Sequence, residues 1–341
     1  MLILILTARY HSKWSSGPKE AIQNIHQGLV PRLGGLAIIL GMWMSELFIG
    51  LAQINPLITM SMLAASAIFM IGFAEDLTSS LKVLWRLALT LVPPAVLAYH
   101  SQIYLTHLGW APADALLSSQ VIAIIFTAFA IAGVTHAFNL VDGLNGLISF
   151  IALWILGAYT VLGYLYDDHL VIQMCLLLGA PLLGFLFFNW PLGKCFLGDG
   201  GAYLLGFLLA WIGVLLAERH QAISPFAILL ICAYPVIETL YSMARRILRG
   251  HNSGSPDKAH LHQMFQAGVI AGWLKSHSTS MKSNSVAGLL ISLLTIPFAA
   301  LAIYFNTQKT ILVCLFLLAL VLYWALYQQC KDQIAHGDGA N

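Results

Sequence analysis

Of the 341 residues, 59% are hydrophobic and only 9% are charged, with a formal net charge of +2 at pH 7. A soluble globular domain carries about 25% charged residues, so this composition excludes one and points to an all-α polytopic membrane protein. The net charge discriminates little by itself, and nucleic acid is not among the expected partners.

A helix of about 20 apolar residues crosses a hydrocarbon layer about 30 Å thick. Ten stretches qualify, at 34–53, 57–74, 84–99, 121–138, 147–165, 171–188, 202–217, 224–243, 285–305 and 310–327. The opening MLILILT is too short to span; it reads as the remnant of an eleventh, truncated first span or as a surface stub, and it lacks the basic n-region and cleavage site of a signal peptide. Residues 1–341 read as one transmembrane domain with a disordered tail at 328–341. The five cysteines form no C-x-x-C pair and mostly lie in apolar spans, where they read as packing residues rather than disulfide or zinc ligands.

The connections carry the information. Pro31-Arg32-Leu33-Gly34-Gly35 precedes the first span, where Pro and Gly either punctuate a helix entrance or let the backbone approach a ligand. Glu75-Asp76 ends the second span, with Lys82 and Arg86 following. Acids at a helix C-terminus oppose the macrodipole, which favours a functional role. NLVDGLNGL places Asn139, Asp142 and Asn145 three apart at the end of another span; alone it could be a turn, since Asn, Asp and Gly tolerate left-handed backbone.

FLGDGG sets Asp199 between glycines at the start of a helix, a place for an anion or a magnesium-bound phosphate, or else a simple N-cap. RRILRGHNSGSPDKAHLHQ brings Arg245, Arg246 and Arg249 at helical spacing, then Asp257, His260 and His262. The His-x-His pair lacks a third ligand at zinc spacing, so phosphate or sugar contact is the better reading. Glu46 and Glu238 fall inside spans, where carboxylates are functional candidates; Glu238 has Arg245 two turns away as a partner.

If spans alternate sides, all but two of the 16 Lys and Arg residues share one surface with the polar motifs, leaving Arg219 and Lys309 opposite. The positive-inside rule assigns that surface to the cytoplasm.

The set PRLGG, GFAEDL, NLVDGLNGL, FLGDGG and PDKAHLH, in this order over about residues 10 to 330, resembles the polyprenyl-phosphate N-acetylhexosamine-1-phosphate transferases of glycosyltransferase family 4. The PDKAHLH form is similar to the undecaprenyl-phosphate N-acetylglucosaminyl-1-phosphate transferase branch, which starts O-antigen, capsule or exopolysaccharide chains. The resemblance implies a multi-pass enzyme of the bacterial inner membrane with its site on cytoplasmic loops. It would transfer a sugar-1-phosphate from a UDP-N-acetylhexosamine to the membrane lipid undecaprenyl phosphate, releasing UMP. It implies Mg²⁺, which Mn²⁺ can replace, and family members are often dimers.

Carried onto this chain, the resemblance makes Glu75, Asp76, Asp199 and His260 catalytic and gives Asp199 and Asn139 to the metal. Lys82, Asp142, Asn145, Gly198, Arg246 and His262 then bind substrate. Departures are Glu75 where family members usually have Asp, Asn145 where an Asp is frequent, and Gln263 where many have a third His. For Asp76 two roles stay open: a base toward the lipid phosphate, or a group positioning the metal or Lys82. The competing readings are a transporter of a phosphorylated metabolite, with Glu46 and Glu238 on its pathway, and a catalytically inactive scaffold.

A topology reporter fused after Met281 is expected to read cytoplasmic and one near Pro112 periplasmic. The reverse pattern would put every motif on the side without nucleotide sugars.

Overall fold

Helices supply all the regular secondary structure among the described residues, which are 30–50, 55–78, 82–248, 250, 259–274 and 280–338 of a computed structural model. In lipid, helices satisfy every backbone polar group within one segment. They are α1 (Gly34–Gly50), α2 (Pro56–Thr78), α3 (Val83–Ser101), α4 (Ala111–Leu117), α5 (Gln120–Val141), α6 (Leu147–Leu165), α7 (His169–Asn189) and α8 (Gly198–Arg219). Then follow α9 (Pro225–Ile231), α10 (Ala233–Leu248), the short α11 (Leu261–Met264) running into a π-turn at Phe265–Ile270, α12 (Met281–Leu293), α13 (Ile296–Tyr304) and α14 (Lys309–Asp338).

Each of the ten predicted spans meets a helix, though not always a straight one. Eight spans are long and apolar enough to cross a membrane, α12 and α13 together forming one of them; α1 is a shorter apolar helix. The α9–α10 pair bends by 80°. Pro235 cannot donate to the Ile231 carbonyl, which removes the bond that would carry the helix through Cys232. The opening segment lies outside the described residues.

The tail is a correction. Disorder was expected from Gln328, but α14 continues to Asp338, with Tyr327 and Cys330 buried. The cause is close packing on the π-turn: a Cβ at Gly268 would lie 3.1 Å from the Cys330 carbonyl oxygen and 3.2 Å from Ile334.

At the centre stands α8, apolar on every face and buried along its whole span, as a uniformly apolar helix should be. Its small residues let other helices reach its backbone. A Cβ at Gly206 would meet the Thr135 Cα of α5 at 2.7 Å, and one at Gly72 of α2 would meet the Asp199 carbonyl oxygen at 2.6 Å. The Trp211 indole donates to Ser61 of α2 at 2.8 Å.

The end of the bundle away from the polar motifs is locked by its own bonds. Asp168 caps α7 by accepting from the Val171 amide and binds Arg219 at 2.7 Å and His220 at 2.8 Å. Burial opposes its charge, yet the bonds from Arg219 and His220 hold its carboxyl below the usual range. Glu218 accepts from both the amide and the hydroxyl of Thr106.

Because the α5–α8 approach is backbone to backbone, Gly206→Ala is expected to destabilise the protein by about 1–3 kcal/mol. Gly133→Ala, where a Cβ meets nothing within 4 Å, should be close to neutral. Thermal unfolding in detergent compares the two, and equal effects would contradict the packing described.

Candidate active site

Helix α8 begins at the polar end, and its first turn organises the site. Asp76, in the last turn of α2, accepts the Asp199 amide on Oδ1 and the Gly200 amide on Oδ2, both at 3.0 Å. Helix N-terminal amides have no intrahelical partner, and Leu197 offers no side-chain cap, so a carboxylate from another helix supplies it. The anion expected at this N-terminus is therefore a side chain of the protein itself. Gly198 makes the approach feasible: its φ is +79°, and a Cβ would lie 2.7 Å from Asp76 Oδ2 and 2.8 Å from the Arg32 carbonyl oxygen.

The PRLGG segment lies alongside. The Phe196 amide donates to the Pro31 carbonyl, while the Gly34 and Gly35 amides donate to the Phe196 and Leu197 carbonyls, all at 2.9 Å. The glycines thus let backbone approach backbone, since a Cβ at Gly35 would meet Gly201 at 2.4 Å. This lacing brings Arg32 within the field of Asp76 and Asp142.

Charge is shared across three helices. Arg86 of α3 lies 3.5 Å from Glu75 and 3.7 Å from Asp199. Lys82, assigned to this place from the sequence, stands exposed at the start of α3 one turn earlier. Asp142 caps the C-terminus of α5. Burial pushes its carboxyl up to about 7, with the Asp199 and Asp76 charges adding to the effect and Arg32 opposing it. Asn139 sits in the last turn of α5, its carbonyl accepting the Asp142 amide at 3.4 Å.

The second half of NLVDGLNGL is scaffold. Asn145 is buried, its amide donating to Asn284 at 2.7 Å and its side chain reaching Ser285 at 3.5 Å. The Gly146 amide donates to Asn189, which in turn donates to the Cys195 carbonyl. Asn145 therefore joins the connection between α5 and α6 to α12.

His262 reaches the Asp142 loop: a Cβ at Gly143 would fall 2.5 Å from its Nε2. Its ring is buried, and burial pushes the imidazole down to about 4, with His260 contributing and Glu238 opposing. His260 stacks on it with ring centroids 5.5 Å apart and bonds to Glu238 at 3.0 Å. Pairing Glu238 with Arg245 was thus incorrect, because the chain beyond α10 folds back and brings nearer donors. Arg246 lies half-buried in the last turn of α10. Arg249 and Asp257 lie outside the described residues. Glu46 is buried about 18 Å along α1 from Gly34, remote from this cluster.

Among the described residues no group of three or more His, Cys, Asp or Glu could hold a metal. Asp199 keeps 26% of its side chain exposed beside Arg86, so it is the carboxylate of the cluster that could reach a cation, and Mg²⁺ takes only one or two carboxylates and leaves its other positions to water and phosphate.

The family model described as glycosyl transferase family 4 matches residues 58–217, from α2 to the end of α8. Over that stretch, a little under half of the chain, the protein is similar to glycosyl transferase family 4. It is similar to the undecaprenyl-phosphate alpha-N-acetylglucosaminyl 1-phosphate transferases of Yersinia pestis (28% identical, over 95% of this chain and 87% of the relative) and Escherichia coli K12 (26%, 94% and 86%). That of Salmonella typhi is 27% identical over 89% of this chain and 82% of its own. The matched stretch holds the four acids of the cluster and Arg86; Arg32 and the histidine pair lie outside it.

Sequence reading missed Arg32 and Arg86 as site residues. Both stood beside recognised motifs, but their pairing needs α2, α3 and α8 to converge.

Asp76→Asn replaces a two-acceptor cap by a single acceptor and points an amide at a backbone N–H. It is expected to lower stability by about 1–3 kcal/mol and to reduce activity equally at roughly pH 6 and pH 8, values that bracket phosphate titration. A loss confined to the lower pH would restore the base assignment.

Proposed function

We propose that the protein transfers an N-acetylhexosamine-1-phosphate from a UDP-sugar to undecaprenyl phosphate, releasing UMP. This step starts a lipid-linked polysaccharide of the O-antigen or capsule type. The observation that carries the reading is the convergence of Glu75, Asp76, Asp142 and Asp199 with Arg32 and Arg86 at one end of the bundle, where His262 meets Gly143. The names of the relatives supply the acceptor and the transferred group. A carrier would place its polar groups near the bilayer midplane, whereas these share one end. The basic residues at that end orient it toward the cytoplasm of a bacterial inner membrane.

In the reaction an oxygen of the lipid phosphate attacks the β-phosphorus of the UDP-sugar. The bond between that phosphorus and the bridging oxygen breaks, and UMP leaves with the oxygen and its electron pair. Both reactants are anions, so the protein must lower their repulsion. Arg86 and Arg32 supply positive charge at the mouth of the cluster, and Asp199 with Asn139 would hold Mg²⁺. When bound, Mg²⁺ neutralises diphosphate charge and draws the two phosphates together.

Asp142, whose carboxyl burial pushes up to about 7, would lose its proton more readily with a cation held beside it. His260 donates a hydrogen bond to the transferring phosphate. A base is superfluous at neutral pH because the second pKa of a phosphate monoester is about 6, in keeping with an Asp76 whose oxygens are occupied by α8.

Membranes offered a panel of UDP-N-acetylhexosamines should yield undecaprenyl-diphospho-N-acetylhexosamine by mass spectrometry, with UMP in equal amount. Asp199→Asn should lower that yield by orders of magnitude at any Mg²⁺ concentration. No lipid product from any donor would overturn the assignment.

A further inference from the structure

The most deeply buried carboxylate described in the bundle is not in the acidic cluster. Glu238 of α10 is fully buried, on a helix that presents Ile237 and Ser242 to the same interior. A charge so placed is costly unless several donors meet it. Here they come from two directions. Ser242, one turn along, donates at 3.3 Å; from the returning chain come His260 Nδ1 at 3.0 Å and the Leu261 amide at 3.3 Å. Ser242 also lies 3.2 Å from His260 Nδ1.

The arrangement does two things. It ties the first turn of α11 to α10, which fixes where His262 meets Gly143. It also occupies Nδ1 of His260, so the tautomer is set and Nε2 is the remaining nitrogen for a ligand. His262, stacked 5.5 Å away with rings 4° from parallel and wedged against Gly143, supports the other face of the His260 ring. The other ionisable groups facing this pair are the phenols of Tyr234 and Tyr323, while Arg245 lies over the Tyr327 ring.

We propose that Glu238 is a positioning residue of the transfer reaction, holding His260 by Nδ1 so that Nε2 is turned to the phosphate being transferred, with His262 as its support. The role of His260 toward phosphate rests on the function proposed above; the Glu238–His260 coupling does not. No covalent step is assigned to either residue.

The test joins kinetics to histidine NMR. In the wild-type protein in detergent, with labelled histidine, the His260 nitrogen signals should show a proton held on Nδ1, and Nδ1 without one would overturn the proposal without any variant. Glu238→Gln keeps size and an acceptor but removes the charge, and the Nδ1 signal should then shift.

Turnover should fall about 10- to 100-fold, as for loss of a charge-assisted hydrogen bond, with KM for the UDP-sugar little changed. His260→Gln should be as impaired as the double variant with Glu238→Gln, because the two act as one unit. Additive losses, or an unmoved Nδ1 signal, would overturn the proposal and make Glu238 merely structural. Should Glu238→Gln fail to fold, Glu238→Asp retains the charge and should keep the Nδ1 proton. If the Nδ1 signal is as stated but no UDP-sugar is turned over, the coupling stands and the proposed function falls.

Discussion

One carboxylate placed under one helix end determines how the polar end of this bundle is built. Asp76 neutralises two orphan amides of α8, each bond to a charged acceptor contributing about 1.5–3 kcal/mol. The bond requires α2 and α8 to approach within the thickness of a glycine, which Gly72, Gly198 and Gly200 permit. Asp199 is thereby aimed outward beside Arg86, while Asp76 is committed to the scaffold. Adjacent acids, Glu75 and Asp76, thus divide: one faces the cluster cation, the other the buried helix end.

The remaining charges follow from that geometry. Four carboxylates brought to one place repel each other, and Arg32 and Arg86 offset part of that repulsion. The extra methylene of Glu75 over aspartate lets it reach Arg86 at 3.5 Å, a guanidinium one turn into the next helix. Burial, more than that repulsion, pushes the Asp142 carboxyl up to about 7.

A second, independent polar centre sits under α10. The cluster at Glu238 is enclosed by apolar wall and closes the chain back onto the bundle after the bent span. The bend at Cys232 and the break between α12 and α13, where Pro297 lies, flank an apolar cavity of about 360 Å³ that reaches Leu261. Broken helices therefore surround the histidine segment, whereas the unbroken α8 supports the acids.

Composition and the lengths of its apolar runs determined the all-helical membrane class, because hydrocarbon thickness sets span length independently of which helix lies beside which. Motif order likewise exposed Glu75, Asp76, Asp142, Asp199 and the histidine pair as one-sided polar groups. Roles were another matter. Whether a carboxylate faces a ligand or a backbone amide depends on which helix end lies within about 3 Å, and hydrogen bonding is that short-ranged. Only the tertiary structure decided that Asp76 caps α8, that Asn145 bonds to α12, that Arg86 replaces Lys82 beside Glu75, and that Glu238 pairs with His260. The ordered tail was hidden for the same reason: α14 beyond Gln328 looks polar along the chain and gains its partner only where the π-turn packs against it.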